Sequence, residues 1–332
     1  MNNFIRNSIT IFFIVIVIKS EAQKINILHT KTGISLRGLT VVDDNTAWVS
    51  GSKGSVGLTT DGGKTWRWQQ VKGFESADFR DVDAFDDKEA IIIASGSPAL
   101  ILKTVDSGVN WKVCYRNNDS LYFLDAMDFI NKKHGWVIGD PVNGKFLLLE
   151  TKDAGNKWVE RQDISPEAIT NEAAFAASGT CFRADKSNLY LVTGGVKSRL
   201  LVFNSFDIKN FNIPIKRGKA SQGAFSLAIH YNKYVIVGGD YANDKNTDSV
   251  ACSVTKVETV LSRKGPLGYQ SCVEYCNGTT YLATGTSGSN LSINDGKSWE
   301  QIDNRSFNVC RKARKGKLIL LAGNDGRIAE FK

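Results

Sequence analysis

Two arginines and two carboxylates are the side chains best placed for chemistry: Arg37, Arg80, Asp140 and Glu172. A pair of guanidiniums can clamp a carboxylate or phosphate through forked, charge-assisted hydrogen bonds. A pair of carboxyls about 6.5–9.5 Å apart is the equipment of an inverting glycosidase. Asp140 could find such a partner in Glu172 or in Asp240. The bland alternative is a wet channel in which Arg37 and Arg80 balance Asp81, Asp83, Asp125 and Asp140. Metal chemistry has little support. His29, His134 and His230 are isolated, and Cys114, Cys181, Cys252, Cys272, Cys276 and Cys310 form no CxxC. Six cysteines allow fifteen pairings, which the sequence leaves open. No metal, cofactor or catalytic residue is assigned.

What could bring residues so far apart together is a repeat. Thr59–Trp66 (TTDGGKTW), Thr104–Trp111 (TVDSGVNW), Thr151–Trp158 (TKDAGNKW) and Ser292–Trp299 (SINDGKSW) share the octet S/T-x-D-x-G-x-x-W, with Asn294 replacing Asp in the last. A worn copy is read through Ser205-Phe206-Asp207 to Phe211. The Asp can accept backbone N–H bonds within its turn, and the Gly can supply φ > 0. The Trp then opens the next strand and wedges between sheets. These octets are scaffold.

In phase with them, an alternating strand recurs ahead of a second apolar strand that ends in a Gly-containing turn. Arg37–Val42 leads to Ala47–Gly51, Arg80–Phe85 to Ile91–Gly96, and Asp125–Phe129 to Trp136–Gly139. Four further pairs follow, the last ending at Gly323. Seven units over the chain give about 44 residues each, the length of a four-stranded propeller blade. The last unit supplies only three strands, whereas Lys24–Thr30 is a spare strand at the other end. Pairing the two closes a ring and removes an exposed edge. The expected fold is therefore all-β: a single seven-bladed propeller over residues 23–332, closed by its terminal strands. Glu172–Ala177 is the only segment with a hint of helix.

The chain has 332 residues and a formal charge of +8. Ser8–Ile18 is an apolar run of signal-peptide length, and Ser20-Glu21-Ala22 offers a cleavage site before Gln23. Residues 1–22 are read as a signal peptide, so the mature chain is expected to be exported, periplasmic or extracellular, with net charge +7. Export argues against nucleic acid. The basic run Arg311–Lys317 reads as an exposed hairpin, and peripheral contact with an acidic membrane surface fits the net charge better. A monomer is expected.

These octets resemble the bacterial neuraminidase repeat, or Asp-box. The whole of residues 24–332 resembles the seven-bladed Asp-box propellers of the photosystem II stability/assembly-factor type. Local phrases add to the likeness: Leu36-Arg37-Gly38-Leu39, Trp48–Ser52, Gly139-Asp140-Pro141 and Asn171–Gly179. Such propellers bind ligands around the channel mouth, opposite the octet turns. The phase then places Arg37, Arg80, Asp125, Thr180, Ser226 and Ser271 near that mouth, joined by Lys53, Asp140, Lys145, Lys197, Arg199, Asp240 and Glu172. The resemblance implies a non-catalytic propeller that binds a polypeptide or glycan there, as an assembly or stability factor for an envelope complex. The competing implication is a sialidase-like glycoside hydrolase. Arg37 sits where the first-blade arginine of sialidases sits, but Ser226 and Ser271 stand at the phase of the other arginines.

Overall fold

The computed structural model describes residues 24–255 and 258–332. The expected signal peptide lies outside them. Seven antiparallel sheets form a ring, and each sheet contains four blade strands in meander order. Blade 1 runs through Leu36–Val41, Ala47–Gly51, Ser55–Thr59 and Arg67–Gln70. Blades 2 to 6 begin at Phe79, Leu124, Phe182, Lys219 and Cys272. Blade 7 takes Val309–Lys312, Ile319–Ala322 and Ile328–Phe331 from the C-terminal end and Ile25–His29 from the N-terminal end. The closing pair is in antiparallel register, Ile25 opposite Phe331 and Ile27 opposite Ala329.

The inner three strands of the blades are apolar on both faces because each is covered by sheets on either side. The strands Ala47–Gly51, Ala90–Ala94 and Ala99–Thr104 are buried at every residue. Outer strands such as Lys112–Asn117 are half-exposed. Neighbouring innermost strands pack so closely that a Cβ on Gly38 would come within 2.8 Å of the Asp81 backbone.

Each octet forms a hydrogen-bonded corner between the third and fourth strands. Thr59 Oγ1 donates to Asp61 Oδ1 (2.8 Å) and accepts from Gly63 N–H (3.0 Å), while Thr65 N–H donates to Asp61 Oδ1 (2.9 Å). The same three bonds recur from Thr104, Thr151 and Ser292. Two successive residues of each octet, not one, have positive φ. The Gly is the second, and Ser107, Ala154 and Asp295 occupy the first in three copies. The tryptophans reach the preceding blade: Trp158 packs with Ile91 and Ile93, Trp299 with Val235 and Val237. Phe206 belongs to no fifth octet. Asn204 Oδ1 accepts from Phe206 N–H and Asp207 N–H in a tight hairpin turn.

Two further expectations change. Among the described residues the only helical element is a single 3-10 turn, Tyr241–Asn243, and the Ala-rich stretch after Glu172 is extended and then turned. Nor is Arg311–Lys317 a wholly solvated hairpin. Arg311 and Arg314 point from the innermost strand and its turn into the channel: Arg314 Nη2 meets Asp83 Oδ1 at 2.5 Å, and Arg311 lies 3.9 Å from Glu274.

Candidate functional site

The innermost strands start on one face of the ring, where the turns between second and third strands also lie. A cavity of about 470 Å³ opens there. Its floor is the segment Ala173–Ala177, which crosses the channel on its way into blade 4. Apart from Phe175 its side chains are all alanine methyls, which leave the cavity open. Ala174 N–H donates to Asp140 Oδ1 (3.2 Å), Arg37 Nη1 to the Ala177 carbonyl (3.4 Å) and Arg80 Nη1 to the Ala176 carbonyl (3.3 Å). The segment turns an open channel into a dead-end pocket.

Arg37 and Arg80 start the innermost strands of adjacent blades, so their guanidiniums share one wall. Burial, and then the neighbouring Arg80 charge, lower the Arg37 pKa from its ordinary value. Arg80 is steadied by Asp78, whose Oδ2 accepts from Nε at 2.8 Å. Bonds of 3.3–3.4 Å to the two carbonyls leave much of each donor fork unused. Opposite stand four aromatic rings. Phe175 stacks on Phe225 at 3.9 Å, and Tyr269 and Tyr241 meet Phe225 edge-on at 4.8 and 6.1 Å.

Asp125 and Asp140 complete the polar lining. Asp125 is 1% exposed, and neither oxygen has a well-formed hydrogen bond, with partial relief from the Ala176 N–H. Burial first, then repulsion by Asp140, raise its pKa well above the ordinary carboxylate range. Burial lifts Asp140 to about 6. Both carboxyls therefore hold their protons to higher pH than a free carboxyl does.

Of the four residues singled out from the sequence, Arg37, Arg80 and Asp140 meet in this cavity, and Glu172 does not line it. The Glu172 side chain is buried and turned away. Its carboxylate accepts from Arg199 Nε (2.6 Å) and Nη2, Thr193 Oγ1 (2.6 Å) and Ile169 N–H (2.9 Å). Asp240 is also absent from the lining, because it caps the 3-10 turn and accepts from Gln222 Nε2 (2.9 Å). Neither carboxylate proposed as a glycosidase partner for Asp140 faces the cavity. Asp125 does, and its place at the start of an innermost strand was the signal for it. Thr180 and Ser226 are spent beneath the floor, where Thr180 Oγ1 donates to Ser226 Oγ (2.6 Å) and Ser226 Oγ accepts from Val273 N–H (2.8 Å). The aromatic wall was not anticipated. Phe175 was visible only inside an alanine run, and Tyr241 and Tyr269 lie in connections.

Deeper in the channel a second charged layer is self-contained. Arg311 lies near Asp81 and Glu274, Arg183 lies 4.0 Å from Glu274, and Arg314 pairs with Asp83. Burial, the largest cause, pushes Asp81 up to about 8. Arg37 and Arg80 are thus not needed to neutralise Asp81 and Asp83.

A family model described as photosynthesis system II assembly factor YCF48 matches residues 18–119. Among solved structures, "YCF48 bound to D1 peptide" aligns with a TM-score of 0.64 at 13% identity, covering 95% of this chain and 96% of that one. YCF48 from Cyanidioschyzon merolae gives 0.62 at 16% identity, covering 92% and 98%. A virginiamycin B lyase from Staphylococcus aureus with quinupristin gives 0.59 at 14%, covering 93% and 99%. Among curated protein sequences none matches. At these identities the structural likeness speaks for the fold. The seven-bladed ring, with its four hydrogen-bonded octet corners, is the fold that aligns with these structures, and the family model's match takes in its first two blades.

Proposed function

We propose that this propeller is a non-catalytic binding module that takes a segment of polypeptide into the channel-mouth pocket, and that it is exported to act on an envelope complex. One observation carries the reading. Arg37 and Arg80 present unsatisfied donors on one wall of a dead-end cavity whose other wall is aromatic. Such a pocket favours an acidic or carbonyl-rich, partly apolar group from a longer chain. A cavity of this size admits two or three residues, not a folded domain. The YCF48 structure with a D1 peptide shows that a propeller of this architecture can hold a peptide, which supports the reading. The arrangement disfavours glycoside hydrolysis, since Asp140 has neither Glu172 nor Asp240 beside it, and Asp125, which does line the cavity, is only 1% exposed.

The test is capture from a membrane-fraction extract by the full chain and by Arg37→Ala/Arg80→Ala. Removing both guanidiniums should cost at least about 2 kcal/mol of binding, or thirty-fold in affinity. The bound polypeptide should therefore vanish from the variant's eluate. Equal recovery by both proteins would refute the site. Turnover of aryl glycosides that is abolished by Asp140→Asn would replace this reading with the hydrolase. Export is checked by the N-terminus of the protein recovered from cells, expected at Gln23.

A further inference from the structure

Peptide binding leaves the six cysteines unused, and the fold distributes them unevenly. Cys181 and Cys252 lie in the core shared by blades 3 to 5. The sulfurs of Cys114 and Cys276 lie 3.7 and 3.9 Å from the carbonyls of Lys112 and Glu274, in their own strands. Cys272 and Cys310 differ. They stand on the innermost strands of blades 6 and 7, and the Cys310 thiol points at the Cys272 sulfur at 3.7 Å. Both residues are fully buried. Sulfurs in a disulfide are about 2.0 Å apart, so an approach of about 1.7 Å remains, shared by two side chains that each turn about a single χ1 bond.

Other blades make a stronger link at this position. Asp81, Ser226 and Cys272 hold the same register, opposite Ile93, Val237 and Thr284 of their second strands. Asp81 Oδ2 accepts from Met127 N–H (2.8 Å), joining blade 2 to blade 3. Ser226 Oγ accepts from Val273 N–H (2.8 Å), joining blade 5 to blade 6. Cys272 reaches toward blade 7 with only a thiol. Its sulfur lies 3.3 Å from the Cys310 carbonyl, and the Cys310 sulfur lies 3.6 Å from the Leu282 carbonyl.

The surroundings divide the two thiols by acidity. Burial acts to raise both. At Cys272 the hydrogen bond from Cys310 and the charges of Arg311 and Arg183 outweigh it and bring the thiol down to about 6. Burial, then the bond to Cys272, push Cys310 well above its ordinary value. A thiolate beside a protonated thiol is the pairing that disulfide exchange uses. Ring closure gives a bond here a task. Blade 7 is held shut by the pairing of Ile25–His29 with Ile328–Phe331. A bond from 272 to 310 spans 38 residues, encloses the octet corner of blade 6, and fixes the innermost strand of blade 7 to the ring independently of that pairing.

We propose that Cys272 and Cys310 form a disulfide that bonds blade 6 to blade 7, made by exchange with a disulfide of the glutathione or dithiol-oxidase class. The Cys272 thiolate attacks one sulfur of that disulfide and releases the first thiolate. Cys310 then gives up its proton, and its sulfur attacks the Cys272 sulfur and releases the second. Two protein thiols become one disulfide, and the oxidant's disulfide becomes two thiols that carry the two protons. Both sulfurs are closed off in the finished ring, so the exchange takes place while blade 7 is still open. The other four cysteines stay thiols. Export, as proposed above, would carry the chain to such an oxidant.

The test refolds the urea-unfolded full chain in a mixture of oxidised and reduced glutathione. Free thiols are then blocked with iodoacetamide under denaturing conditions and counted by intact mass. Four of the six cysteines should be blocked and two protected. Tryptic mapping without reductant should join Ser306–Arg311 to the peptide that holds Cys272. That peptide also carries Cys276, so Cys276→Ser should keep the link and Cys272→Ser should abolish it. The parent refolded in dithiothreitol should unfold at a urea midpoint about 1 M lower, as an enclosed segment of this length implies, whereas Cys272→Ser should show one midpoint in both buffers. Six blocked thiols, a link through Cys276 or any other cysteine, or a parent midpoint unmoved by reduction would each overturn the proposal. The parent's mass and midpoint decide the matter even where a serine variant fails to fold.

Discussion

The Glu172–Arg199 pair tests whether the boundary of the site is drawn correctly. Glu172 is 4% exposed and Arg199 6%. The carboxylate takes two bonds from the guanidinium, one from Thr193 Oγ1 and one from the Ile169 amide, and Arg199 also donates to the Glu167 carbonyl at 3.0 Å. Glu172→Leu deletes every acceptor on the side chain and strands a buried guanidinium, a loss of about 3–5 kcal/mol. With a urea slope of about 3 kcal/mol/M, the unfolding midpoint should fall by about 1 M or more. The double change Glu172→Leu/Arg199→Met replaces the pair with apolar groups of similar volume, so it should cost much less than the sum of the single changes, with coupling of about 2 kcal/mol or more. Polypeptide capture by the folded fraction should be unchanged in both, because neither side chain lines the cavity. A midpoint for Glu172→Leu within about 0.2 M of the parent would refute the reasoning. So would loss of capture by a variant that remains folded, which would return Glu172 to the site.

Two further outcomes follow from the same geometry. Asp153→Ala removes the acceptor for Lys157 N–H (2.9 Å) and Thr151 Oγ1 (2.9 Å) and should cost about 1–2 kcal/mol in denaturant titration. Asp153→Asn should cost under about 0.5 kcal/mol, since Asn294 makes the equivalent bonds in blade 6. Asp125 is protonated in the fold at pH values where it is ionised in the unfolded chain, so the native state binds more protons. Stability should therefore fall as pH rises from about 4 toward the raised pKa, and stay low above it. Asp125→Asn should flatten that fall in urea midpoints taken from pH 4 to 8, and parallel slopes for the two proteins would contradict the assignment.

The ring was legible in the sequence because its determinants are local. An Asp or Asn with a Gly two residues later and a Trp five later specifies one corner with its own hydrogen bonds, and four such corners set the phase for the rest. Arg37, Arg80 and Asp140 followed from that phase. Glu172 did not, because its partner Arg199 lies 27 residues away across a blade and nothing near either residue signals the pairing. The basic run was misjudged for the opposite reason. Seven residues of one composition hide an alternation in which Arg311 and Arg314 turn inward to meet Glu274 and Asp83, both supplied by other blades. The crossing segment was the deepest omission. Ala-rich sequence ordinarily suggests helix, yet here small side chains serve passage over a channel mouth, and the hydrogen bonds that hold the segment come from Arg37, Arg80 and Asp140.

That crossing also bears on how the two faces divide their work. In an open propeller channel, charge lining the inner strands is continuous from end to end. Here Ala173–Ala177 separates an upper layer, where Arg37 and Arg80 keep spare donors, from a lower one, where Arg311 and Arg314 are matched to Asp81, Asp83 and Glu274. In the lower layer Arg183, Arg311 and Arg314 each face a buried carboxyl inside the channel. The upper layer holds its spare guanidinium donors in a pocket that a ligand can reach from one side only. On the opposite face, octet bonding fixes the turn backbone but leaves its second residue unconstrained, so Thr60, Val105, Lys152 and Ile293 can differ without disturbing the corner. Among the described residues, the guanidiniums with spare donors converge at the plugged mouth, where a partner can meet them.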